Sequence, residues 1–200
     1  FYPMESNLGY RPGVSKEVFA CLDDEQVNVY RDICNQLVLP SVSKEKPTVI
    51  GISIGTQMQL MAGLTFCKMI KESFPDIHVV VGGNVVTRLQ EEWAKHERFF
   101  TEVFDAAILY EGEHALLWYI EAVNGQRAIE SVPNLMYYES GAVQQSKEVY
   151  TEKTAALPLP DQPVGGHDAN PLRLPGGSGL TADVGHVRRG HRVHRALAEP

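Results

Sequence analysis

The chain has 200 residues, a formal net charge of −7, 44% hydrophobic and 22% charged residues. These values fit one globular domain with a real core and exclude a disordered polyelectrolyte. The negative balance argues against a nucleic-acid surface, which needs clustered Lys and Arg, and no apolar run approaches the roughly 18 residues of a membrane span.

The opening Phe1-Tyr2-Pro3-Met4-Glu5 carries neither an initiator Met nor a signal-peptide pattern, and reads as the broken end of something longer. Ser15 is the expected N-cap of a first helix, with Val18, Phe19 and Leu22 at helical spacing. A second helix is predicted over 25–39, with Val29, Ile33 and Leu37 on one face and Pro40 interrupting it. Residues 48–54 form a short, nearly all-apolar run, the pattern of a strand buried on both faces. A helix follows over 57–73, with Leu60, Leu64, Cys67, Met69 and Ile70 as core contacts. A second buried strand covers 77–81 and ends in Gly82-Gly83-Asn84; a helix is expected over 87–96, a third strand over 106–110, and a helix over 112–123. Segments 134–138 and 142–145 read as an edge hairpin around Ser140-Gly141.

Buried strands alternating with amphipathic helices predict an α/β fold: an open parallel sheet with flanking helices. Three parallel strands are few for such a sheet, so N-terminal strands are expected to be missing. The domain is assigned to 1–155, and 156–200 to a linker and unstructured tail. The last forty residues contain no Lys, Ile, Phe, Tyr, Trp, Met or Cys and have little to bury. That change near Asp161 reads as a shifted reading frame, or else as a natural disordered tail. Cys21, Cys34 and Cys67 form no CxxC pair and are expected as small core residues in a reducing cytoplasm.

In an open parallel sheet, ligands bind at the loops leaving the carboxyl ends of the strands. Here those loops are Gly55-Thr56-Gln57, Gly82-Gly83-Asn84 and Glu111-Gly112-Glu113. Glycine lets a backbone approach a ligand closely, and the amides and hydroxyls supply hydrogen bonds. Each loop has a plainer reading: Gly82-Gly83 as a tight turn, Ser53 and Gln57 as helix caps, Glu111 and Glu113 as first-turn carboxylates. Neither GxGxxG after the first strand nor GxxxxGK[ST] is present. His78, His96 and His114 are isolated, while His186, His191 and His194 sit among arginines that would repel a cation.

The ordered motifs nonetheless resemble the cobalamin-binding domains of B12-dependent radical SAM proteins. The carriers are Lys46-Pro47-Thr48-Val49-Ile50-Gly51-Ile52-Ser53-Ile54, Gln59 to Leu64, His78 to Leu89 with its Gly82-Gly83, and Phe104 to Leu116 with Tyr110-Glu111-Gly112-Glu113. Val132-Pro133-Asn134-Leu135 and Leu157-Pro158-Leu159-Pro160-Asp161 follow in the same order, so the likeness covers residues 8–161 and leans toward enzymes of peptide natural products. It implies a Rossmann-like (flavodoxin-like) domain that holds cobalamin at the carboxyl edge of its sheet. The parent enzyme would add a radical SAM barrel whose [4Fe–4S] cluster cleaves S-adenosylmethionine, for methyl transfer or for modification of a peptide or small-molecule substrate. By position, Ser53, Gly55, Thr56 and Gln57 would lie below or beside the corrin. Gly82, Gly83 and Asn84 would pack on its lower side or nucleotide tail, with Tyr110, Glu111, Gly112 and Glu113 as the rim.

The mutase-type DxHxxG pattern is absent, so no histidine ligand to cobalt is implied. Two departures stand out. The family's domain opens with a strand, helix and strand that this chain lacks, which should expose apolar faces of Val49 and Ile52. The family's CxxxCxxC is replaced by Val184 to His191, so the chain lacks the cluster that would make it catalytic. The alternatives are a free-standing cobalamin carrier or sensor, and a flavodoxin-like module with another ligand.

Overall fold

The computed structural model describes residues 9–151, and within them the α/β architecture is present. β1 (Val49–Ser53), β2 (His78–Gly82) and β3 (Ala106–Ile108) run parallel. β4 (Leu135–Glu139) returns antiparallel to β3 and pairs with β5 (Ala142–Gln145), completing a five-stranded sheet of order β1-β2-β3-β4-β5. The expected hairpin thus supplies the last two strands. Its turn residues, Ser140 (φ 53°) and Gly141 (φ 84°), take the left-handed conformation that matches strand twist. The linker, the tail histidines and the shifted-frame segment lie outside the described residues.

One face of the sheet carries the larger core. Val18, Phe19 and Leu22 of α1 (Ser15–Asp23) and Leu60, Leu64, Cys67 and Ile70 of α4 (Leu60–Ser73) are buried there, as the helical spacing requires, and Met69 is buried as well. Phe99 lies 4.4 Å from Phe19 and 4.7 Å from Trp93, centroid to centroid, and the Trp93 indole donates to the Val86 carbonyl at 2.9 Å. On the other face Ala115 and Tyr119 of α7 (Glu113–Val123) pack on Val80, Ala106, Ile108, Leu135 and Tyr137. All three cysteines are buried, and burial pushes the thiols of Cys21 and Cys34 up to about 11. They are packing groups, not thiolate nucleophiles.

Five expectations are corrected. Ser15 is the first residue of α1 and does not cap it; Val14 holds the cap position, and the Ser15 hydroxyl bonds the His96 ring at 3.0 Å. Pro40 does not end the second helix. α2 (Val29–Ile33) runs through a π-turn at Cys34–Val38 into α3 (Leu39–Glu45), whose first turn holds Pro40. The wider π-turn accommodates a ring that would clash with the carbonyl one α-turn earlier.

Third, Val29, Ile33 and Leu37 are 55%, 42% and 66% exposed, while Cys34 and Val42 are buried and Tyr30 and Val38 pack on the core. The helix holds two apolar stripes one residue apart, and Asn28 selects between them. Its buried amide donates to Cys21 O and Thr65 Oγ1 and accepts from Tyr30 N, which fixes the rotation of the first turn.

Fourth, β1 is an edge strand, not one buried on both faces. Gly51 and Ser53 are exposed, and Val49, Ile50 and Ile52 are half-buried. Thr48 O and Ile54 N bond β2, so the N–H and C=O groups of Val49, Gly51 and Ser53 point outward. The helix expected over 87–96 is likewise two shorter ones, α5 (Asn84–Arg88) and α6 (Gln90–Lys95), meeting at Leu89.

Candidate functional site at the carboxyl end of the parallel strands

Successive strand residues face opposite sides of a sheet. Gly51 and Ser53 therefore share a face with their register partners Val80 and Gly82, and with Ile108 of β3. α7 covers the β3 side of this face and leaves the β1 side open. The result is a groove of about 410 Å³, within the roughly 300–1,000 Å³ usual for small-molecule sites. Its floor is Gly51, Ser53 and Gly82; Val80, Ile108 and Leu116 form an apolar wall; Tyr110, Gly112 and Glu113 stand at the α7 side.

Of the residues singled out from sequence, Ser53, Gly82, Gly83, Tyr110, Gly112 and Glu113 come together here. Gly55 and Thr56 do not line the groove: their amides bond Gln59 Oε1 at 2.9 and 3.0 Å, in a capping box that starts the turn leading into α4. Gln57 and Asn84 are exposed beyond the lining, and Glu111 contributes its carbonyl to the loop scaffold. None of His78, His96 and His114 lines the groove, and among the described residues no three metal-ligating side chains converge.

The two glycines after β2 have different tasks. Gly82 has ordinary room for a Cβ, with Ile108 O nearest at 3.6 Å. Gly83 has none. It adopts φ 103°, and a Cβ there would lie 2.7 Å from Ile54 O. Gly83 is a crossing point of two backbones, and its place in the lining follows from that packing.

The loop after β3 is held by groups that pattern alone did not mark. Tyr110 has φ 58°, a conformation that costs a non-glycine residue about 1 kcal/mol. Its N–H donates to Thr87 Oγ1 at 2.7 Å, and its hydroxyl donates to Gln90 Oε1 at 3.3 Å. On the other side stands buried Asn134, also left-handed at φ 60°. Asn134 O accepts from Leu109 N at 2.8 Å, its Nδ2 donates to Glu111 O and Tyr150 O, and its Oδ1 accepts from Tyr150 N. Asn134→Ala removes three side-chain hydrogen bonds at a buried left-handed site. Unfolding in urea, followed by the fluorescence of buried Trp93, is expected to show a loss of about 2 kcal/mol. An unchanged midpoint would mean that the loop is held elsewhere.

Gly51 sits inside an apolar run that hides its role; its sequence signal is a glycine within a strand, which marks a bulge or the close approach of a ligand. No protein-family model and no curated protein matches the chain.

Proposed function

We propose that residues 9–151 are a cobalamin-binding module of the kind found in B12-dependent radical SAM proteins. The observation that carries this reading is the glycine-floored groove at the carboxyl end of β1, β2 and β3, where Gly51 and Gly82 leave a flat, partly apolar shelf. Three properties of the groove suit a corrinoid. The shelf accepts a planar group, the wall of Val80, Ile108 and Leu116 supplies apolar contact, and Ser53, Tyr110 and Glu113 offer polar atoms to amide substituents. A whole cobalamin exceeds the groove, so part of it would extend over the rim formed by Gly55, Thr56, Gln57, Asn84 and Glu111. Bound there, the corrin supplies a cobalt centre able to carry a methyl group. The chain's own residues seat and orient it. Methyl transfer or peptide modification would need the barrel, iron–sulfur cluster and S-adenosylmethionine of a parent enzyme.

The volume of the groove favours a second reading, a flavodoxin-like module for a smaller planar cofactor such as a flavin nucleotide. One experiment separates the two. The protein is incubated with hydroxocobalamin or with FMN, desalted, and examined by visible spectroscopy. Near-stoichiometric corrin absorption, lost in Gly82→Leu, is the expected result. Retention of FMN alone would select the second reading, and a colourless folded protein would discard both.

A further inference from the structure

Thr87 lies outside the lining of the groove, yet its hydroxyl joins the two loops that flank it. As acceptor it takes the N–H of Tyr110 at 2.7 Å; as donor it faces Gly83 O at 3.4 Å. Gly83 follows β2 and Tyr110 follows β3, so one oxygen spans the connection between both sides. Tyr110 is the point in that loop where the backbone is left-handed, and such a conformation persists only where its surroundings over-determine it. Asn134 fixes the neighbours, through Leu109 N and Glu111 O. The Tyr110 amide itself is held by Thr87.

We propose that Thr87 is the positioning residue of the groove: its hydroxyl holds the Tyr110 backbone, and with it the far rim, in register with the Gly82-Gly83 side. The inference rests on the groove being the ligand site. The plainer account is that a helical Thr simply bonds the carbonyl one turn back, here Gly83 O. That contact, at 3.4 Å, is the longer of the two, and it gives Tyr110 no dependence on Thr87.

The test compares the wild-type chain with Thr87→Val, which keeps the shape and loses the hydroxyl, and Thr87→Ser, which keeps the hydroxyl. Two quantities are read: the amide hydrogen exchange of Tyr110 without ligand, and the affinity for hydroxocobalamin. Thr87→Val is expected to speed Tyr110 exchange and weaken hydroxocobalamin binding, each by about tenfold for one lost hydrogen bond. Thr87→Ser is expected to restore both, and the urea midpoint of Thr87→Val is expected to fall by no more than that one hydrogen bond accounts for. Unmoved Tyr110 exchange in Thr87→Val overturns the proposal. So does faster exchange with unchanged affinity, since the rim would then be irrelevant to the ligand. If the wild-type chain retains no hydroxocobalamin, the cofactor reading fails separately, and Tyr110 exchange in the two variants still decides whether Thr87 holds the rim.

Discussion

Gly83→Ala is expected to destabilise the protein by about 3 kcal/mol or more, the range of severe backbone strain combined with overpacking. Two independent costs combine at this position. The backbone is at φ 103°, which L-residues rarely adopt, and the added methyl would lie 2.7 Å from Ile54 O, 2.9 Å from Ile54 C and 3.0 Å from Ile54 N. The obstacle is main chain, which no rotamer change can move aside. Ile54 N already donates to Gly82 O at 2.7 Å, and Ile54 O accepts from Val85 N at 3.2 Å. Relief would have to break the β1–β2 pairing or the start of α5. Urea unfolding measures the effect, and a loss below 1 kcal/mol would show that the crossing is looser than these distances state.

Gly51→Val should separate stability from binding. Gly51 is exposed, it lacks a positive φ, and a Cβ there would meet only Val80 Cγ1 at 3.9 Å. Neither backbone nor packing therefore requires glycine. Replacing it within a strand is expected to raise stability by about 0.5–1 kcal/mol, because the unfolded chain loses freedom. The same side chain would stand on the floor of the groove, and hydroxocobalamin binding should fall at least about a hundredfold from the resulting overlap. A variant that is more stable and still binds with wild-type affinity would remove the groove from consideration as the cofactor site.

The contrast between these glycines shows what the sequence conveyed and what it did not. Apolar runs separated by amphipathic spacing were sufficient to identify β1, β2, β3, α4 and α7, because burial imposes those patterns directly. Composition and spacing also located Gly82 and Gly83 at the end of β2. They could not tell that Gly83 is fixed by contact with Ile54, twenty-nine positions earlier, since that contact exists only once the sheet has formed. The inner face of α2 was misread for the same reason. Two stripes, Val29-Ile33-Leu37 and Tyr30-Cys34-Val38, fit helical spacing equally well, and a buried amide at Asn28 decides between them through Thr65 of α4. β1 looked doubly buried because an apolar run does not reveal how many neighbours a strand has. Within the site, Glu113 was legible as a polar residue after a strand, and Ser53 and Tyr110 only through the resemblance, whereas Thr87 and Asn134 act through a hydroxyl and an amide that meet the loop from other elements.

The strand order β1-β2-β3-β4-β5 repeats the order of the chain. Each strand pairs only with the segment before it and the segment after it, so none has to insert between two strands already joined. Loop-closure entropy is met in small instalments, one connection at a time. During synthesis, β1 and β2 can associate while the hairpin is still inside the ribosome, and the sheet then extends one strand at a time from its N-terminal side. Assembly of the groove keeps the same schedule: its floor forms with β2, its wall is completed by β3 and α7, and the loop after β3 is fixed when Asn134 arrives.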